Sequence, residues 1–385
     1  MGKGESPTHP SFKGDILTIL IDDVKDKLLT LDTVRETLAA TEPVRAYDFE
    51  VGGNQVAFKL TEGFNHELKA TQADAPLEGF VTVSGTELQL TPDSLYGLAG
   101  EAFMTKGFVQ NYPAEVIEDA LNHQYNSGLT GKDFKILAVG NRKAAAITRG
   151  ALQPYSNLRF LEIALEAIEK KYGSGEVWAD YKFVHNLKQT HLRLIVPEHI
   201  RVMQNTGTEN DTWSAGLQLK NSLNGDEQTE INAYLFRYWC TNGAIDTMNA
   251  SNSVWSRRGA VGKGDAVFDW AKDAVDEALS GLEGSFDAVQ SLTDVSIEGT
   301  AVEALRGVFD TFKIPQAERN RITSTMVNED TLTMYSLMQA VTQAANSADV
   351  KPHIVDSLMR AGGEIPLLVA EGRCDSCHRF MDHQH

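Results

Sequence analysis

Thr190-His191-Leu192-Arg193-Leu194-Ile195-Val196-Pro197, a polar Asn/Gly/Thr loop, and then Thr212-Trp213-Ser214-Ala215-Gly216-Leu217-Gln218-Leu219-Lys220-Asn221-Ser222 form the stretch on which the fold class turns. Both runs are dominated by side chains that suit a pleated surface, and turn-forming residues separate them, so both read as strands. Val177–Asn186 is a further strand-like run. Glu230–Cys240 alternates for part of its length and is read as a fourth strand, with a helix start as the competing reading. The middle of the chain therefore carries a sheet.

Phe134–Val139 reads as a strand. Asn157–Tyr172 reads as an amphipathic helix with Leu158, Leu161, Leu165 and Ile168 on one face, ended by Gly173-Ser174-Gly175. Residues 92–130 are helical in pattern and open at Thr91-Pro92-Asp93-Ser94. Ala46–Val51, the Gly52-Gly53-Asn54 turn and Val56–Leu60 predict a hairpin, and Phe80–Leu90 predicts two strands around Ser84-Gly85. The spacing of Leu17, Leu20, Ile21, Val24, Leu28 and Leu31 is helical, with Asp32-Thr33 placed to cap a second short helix. From Ala266 onward the pattern is almost wholly helical, with breaks expected at Gly281–Ser285, Ile314-Pro315, Lys351-Pro352 and Gly362-Gly363. The expected class is α+β, a mixed N-terminal and central sheet-containing region followed by a mainly helical C-terminal region. The expected divisions are a disordered tail (1–14), an N-terminal α+β region (15–130), a central basic α+β domain (131–264), a helical region (265–365) and a tail with a Cys/His cluster (366–385).

With 42% apolar and 23% charged residues, a chain of 385 residues can bury a substantial core. The net charge of −18 favours solubility and taken alone argues against nucleic-acid or anionic-membrane binding. No run approaches the roughly 20 apolar residues of a transmembrane helix. The longest N-terminal apolar run, Ile16–Ile21, is interrupted by Thr18 and is too short for a signal peptide, so an intracellular location without a membrane partner is expected. Three cysteines do not make a disulfide framework, and a reducing compartment fits.

The charge is unevenly placed. Residues 1–130 hold 9 Lys/Arg against 20 Asp/Glu, residues 131–264 hold 17 against 13, and residues 265–385 hold 9 against 20. An acidic protein has kept a basic middle. Within it lie Lys132, Lys135, Arg142, Lys143, Arg149 and Arg159, opposed only by Asp133 and interleaved with Phe134 and Tyr155. Lys182, Lys188 and Arg193 fall in the carboxylate-free run Tyr181–Pro197, and Trp255, Arg257, Arg258 and Lys263 fall in a third basic stretch. Cations neutralise phosphates and aromatic rings stack on unpaired bases, so this combination predicts contact with single-stranded nucleic acid. On that reading Tyr155 and Trp255 stack on bases. The competing reading pairs these cations with carboxylates of the acidic flanks.

Four stretches carry a resemblance: Arg149–Tyr155, Gly216–Ser222, Phe236–Gly243 and Met334–Thr342. In this order they resemble successive landmarks of the phage/plasmid-like protein family, a domain of unknown function found in phages and plasmids. The resemblance implies a mobile-element origin and a host-cytoplasm location, and it brings no catalytic residues with it. The order of strands and helix in the basic region is also similar to phage single-strand annealing proteins, which assemble as rings or filaments; that similarity implies a homo-oligomer.

Cys374 and Cys377 with His383 and His385 could close a tetrahedral structural zinc site, and a frayed tail competes with it. His378 completes a haem-attachment pattern whose chemistry needs export. Gly259–Gly264 fails as a phosphate loop, because Arg257 and Gly264 stand where Gly and Ser/Thr belong. His185 and His191 are read as satisfied or surface histidines that could face each other on adjacent strands, Cys240 as a core thiol, and Asp22, Asp23 and Asp26 as solvated surface. No nucleophile, base and charge stabiliser assemble into a catalytic constellation. The leading expectation is a non-enzymatic, self-associating, single-strand-binding phage protein. The alternative is a structural or host-interaction protein that contacts a phage or host partner.

Overall fold

The computed structural model describes residues 24–49, 56–61, 77–83, 85–128, 134–140, 142–149, 155–180, 183–185, 189–222, 228–238, 242–246, 254–255, 266–297, 300–327, 332–347 and 349–371. The protein is α+β, with two sheets among these residues and a helical C-terminal region.

The larger sheet is built on residues 189–222. Strand β10 (Gln189–Val202) pairs antiparallel with β11 (Thr212–Ser222), and β11 with β12 (Thr229–Arg237). The order is β1-β8-β10-β11-β12-β13, with β1 at Leu28–Thr30, β8 at Trp178–Asp180 and β13 at Asn242–Asp246. Short strands β9 (Val184–His185) and β14 (Val254–Trp255) add to β10 and β12. Both faces of β10–β12 are largely buried, so polar residues such as Arg193, Gln218 and Asn232 lie in the interior beside the apolar ones. Helices α1 (Leu31–Ala39) and α5 (Asn157–Tyr172) share this core with α6 (Ala266–Ser291), α7 (Ala301–Thr311), α8 (Gln316–Val327), α9 (Met334–Ala344) and α10 (Pro352–Glu371).

The smaller sheet has six strands in the order β2-β6-β7-β5-β4-β3. These are β2 (Pro43–Phe49), β3 (Val56–Leu60), β4 (Gly79–Val83), β5 (Thr86–Gln89), β6 (Phe134–Val139) and β7 (Lys143–Arg149). Helices α2 (Pro92–Glu101), α3 (Lys106–Asn111) and α4 (Ala114–Asn126) pack on one side of it around Val81, Leu88, Leu98, Ile117 and Ile136. Helix α2 opens as its sequence predicts: Thr91 and Ser94 form a reciprocal capping box, with Pro92 in the first turn.

Several expectations need correction. The predicted 46–60 hairpin does not form, because β2 pairs with β6 and β3 with β4, placing the two strands at opposite edges of the sheet. The helical spacing of Leu28 and Leu31 instead spans a strand and a new helix, which Thr30 caps. Val177–Asn186 is split into β8 and β9. Helices α6 and α10 run through the glycines expected to break them, whereas the breaks at Ile314-Pro315 and Lys351-Pro352 occur. Strands β6 and β7 lie in the smaller sheet beside β2 and β5, and β1 and α1 join the larger core. Residues 1–14 and 372–385, with Cys374, Cys377, His383 and His385, lie outside the described residues. Among the described residues, no His/Cys/Asp/Glu group could hold a metal ion, and no helix is long and apolar enough to cross a membrane.

Candidate nucleic-acid interface

Strand alternation gives the smaller sheet two unlike sides. Val56, Phe58, Leu60, Val81, Val83 and Leu88 point into the core under α2–α4. The intervening residues of β3, β4 and β5 are Ala57, Lys59, Phe80, Thr82, Glu87 and Gln89, all exposed or half-buried. At β6 the second side closes again, since Leu137 and Val139 are buried as fully as Ile136 and Ala138.

The open side carries an ordered row. Lys59 lies opposite Phe80, Phe80 opposite Gln89, and Gln89 opposite Lys143 on the parallel neighbour β7. At the ~4.8 Å spacing of neighbouring strands, the two lysines bracket the aromatic and the amide across about 14 Å. Gln89 is held by its Nε2, which donates to the Leu77 carbonyl at 3.2 Å, and by its backbone N–H, which donates to the Arg142 carbonyl at 2.8 Å. Glu87, on the next row beside Thr82, is the carboxylate that this side of β4 and β5 presents.

Arg142 borders the row from the turn between β6 and β7. Its backbone is left-handed (φ 62°), its N–H donates to the Gly140 carbonyl at 2.8 Å, and its side chain is exposed. Gly140 is also left-handed, and a Cβ there would sit 2.7 Å from the Ala40 carbonyl oxygen, so the turn is seated against the end of α1. Among the described residues, no ion pair involves Lys59, Arg142 or Lys143.

Other cations of the basic middle are spoken for. Arg193, expected to meet phosphate, is 2% exposed and lies 3.5 Å from Asp356 of α10. Arg237 forks onto Asp211 at 2.7 and 2.6 Å, and Tyr335 donates to the same carboxylate. Arg201 pairs with Glu283 at 2.7 Å and with Asp287, and Lys220 lies 3.8 Å from Glu230. Asp356, Glu283 and Asp287 belong to the acidic C-terminal third, so Arg193 and Arg201 pair with carboxylates of an acidic flank, whereas Arg237 and Lys220 pair within the middle.

Tyr155 also departs from its expected role. It is 6% exposed and packs edge-on against Phe160 and Phe268 with ring centroids 6.4 and 6.1 Å apart, so it is a core ring rather than a base-stacking platform. His185 lies opposite Thr190 and His191 opposite Val184, so the two histidines are one step out of register and do not face each other. Lys135 and Arg149 stand on the adjacent strands β6 and β7 and Trp255 on β14, with only their backbones described. Lys132, Lys188, Arg257, Arg258 and Lys263 lie outside the described residues. Of the expected nucleic-acid residues, Arg142 and Lys143 are brought together; Lys59, Phe80 and Gln89 join them without having been singled out in the sequence.

Arg193 and Asp356 head a buried polar network. Gln218 and Arg360 both donate to Asp356, Arg360 also to Glu230, and Asn232 meets Gln218 at 3.1 Å. Burial alone would raise the Asp356 carboxyl, but the charges of Arg360, Arg193, His191 and Lys220 outweigh it and hold it at about 2.

No known family, curated protein or solved structure matches this chain. The resemblance to phage/plasmid-like proteins therefore rests on the four ordered stretches alone.

Proposed function

We propose that this protein binds single-stranded nucleic acid, without chemistry, on the open side of its six-stranded sheet. The observation that carries this reading is the Lys59–Phe80–Gln89–Lys143 row, with Arg142 at its border. The two lysines and Arg142 supply phosphate contacts, Phe80 supplies a face for an unpaired base, and Gln89 supplies amide donors and an acceptor. A duplex hides its base faces from such a surface, so the row favours an unpaired strand. The acidic remainder of the molecule repels the backbone elsewhere and confines contact to this surface. Such a protein would act in the cytoplasm of a host cell, in keeping with the resemblance to phage- and plasmid-borne proteins. The test is equilibrium binding of a fluorescent single-stranded oligonucleotide at low salt, with unlabelled duplex of the same sequence as competitor. The expected result is saturable binding that the duplex displaces poorly; no binding, or equal displacement by duplex, contradicts the reading.

A second reading, contact with a phage or host protein, is favoured by Phe103, which is 77% exposed on a left-handed backbone at the end of α2. A large apolar side chain in that conformation disfavours the isolated molecule twice, by exposure and by backbone strain. Phe103→Ser, which removes the ring, should abolish capture of a specific partner if that reading holds; capture undiminished by the substitution counts against it.

A further inference from the structure

Among the described residues β3 is one of the two edge strands of the smaller sheet, and side chains occupy its outer edge. Strand β3 uses one edge to pair with β4, and on the other edge its outward amides at Phe58 and Leu60 face α4. Asn122 accepts from Phe58 N–H at 2.8 Å and donates through Nδ2 to the Phe58 carbonyl at 3.1 Å. One turn earlier on the same helix, Glu118 accepts from Leu60 N–H at 2.7 Å. The Asn122 amide thus makes the donor and acceptor pair that a neighbouring strand's peptide group would make. The four-residue spacing of Glu118 and Asn122 keeps both on one helix face, and the two-residue spacing of Phe58 and Leu60 keeps both amides on one strand edge.

We infer that Glu118 and Asn122 serve as a side-chain substitute for a missing strand, and that β3 is an edge which pairs with a second copy of this chain once they are removed. The partner follows from what the edge offers. Val56-Ala57-Phe58-Lys59-Leu60 alternates buried and exposed positions. Two such strands meeting antiparallel would continue one apolar side and one open side across both molecules. Exposed Lys59 is the remaining deterrent to that pairing, because a charge on an edge strand opposes its own copy.

The experiment compares full-length wild type with Glu118→Ala/Asn122→Ala by sedimentation over a concentration series, with hydrogen exchange read at Phe58 and Leu60. The expected result is a mass-average mass about twice the wild-type value or more at high concentration. The two amides should be protected in the associated species and exchange faster on dilution. Unchanged mass with fast exchange at Phe58 and Leu60 overturns the inference, as does association that leaves those amides unprotected. If the double variant fails to fold, Glu118→Ala alone bares Leu60 N–H and must show the same trend, weaker; unchanged mass then overturns it. Glu118→Gln keeps an acceptor and should behave as wild type.

Discussion

Arg193 of β10 and Asp356 of α10, 163 residues apart in sequence, meet in the interior with Nη2 3.5 Å from Oδ1. The pair ties the larger sheet to the last helix. Removing the cation leaves a buried carboxylate with less compensation, a change that costs about 3–5 kcal/mol in comparable pairs. Arg193→Ala is therefore expected to lower the urea midpoint sharply. In the fraction that remains folded it should leave oligonucleotide affinity unchanged, since Arg193 is not on the open sheet side.

The same pair sets a pH dependence. Asp356 holds its proton less readily in the folded protein, at about 2, than at its ordinary 3.8. Its contribution is therefore complete above the ordinary value and is lost as pH falls through the folded one, on the order of 2 kcal/mol. The difference in unfolding free energy between wild type and Asp356→Asn should shrink between about pH 5 and about pH 2. A difference that stays constant over that range contradicts this assignment.

Gly216 sits at the centre of β11, where a Cβ would run into the Leu194 carbonyl oxygen of β10 and come within 3.2 Å of the Tyr234 ring. Neither strand can move without disturbing a ladder on its other side. Gly216→Ala is expected to destabilise by about 1–3 kcal/mol or more, measured by denaturant melts.

Much of this fold was legible in sequence. The amphipathic helix at 157–172, the capped start at Thr91 and the strands β10–β12 follow from local pattern, because each pattern is set by neighbours a few residues away. The predicted hairpin failed because β2 takes its partner from residues 134–139, and nothing local marks that choice. The glycine at 362 looked like a helix break; its missing Cβ instead makes room for Thr342, so α9 and α10 approach closely. Arg193 read as a surface cation because a charge sum over a segment cannot reveal a carboxylate packed against it from another third of the chain. Lys59 was hidden by the same sum, being one cation within a strongly acidic stretch. Its alternation with Val56, Phe58 and Leu60 was the signal that marked it as outward-facing.

Phe80 is the one aromatic in the Lys59–Lys143 row. Its truncation should remove base stacking without altering charge. Phe80→Ala is expected to cost about 1–3 kcal/mol of oligonucleotide affinity while leaving the salt dependence as it is. Unchanged affinity would remove Phe80 from the interface.

The most direct test of the proposed interface is the salt dependence of single-stranded oligonucleotide binding, with wild type and Lys59→Ala/Lys143→Ala measured side by side. Each lysine that neutralises a phosphate contributes roughly 0.7 to the slope of log affinity against log salt for a single strand. The double variant is expected to bind more weakly, with a slope shallower by about 1–1.5. Equal slopes for the two proteins, or no binding by wild type at low salt, would contradict it.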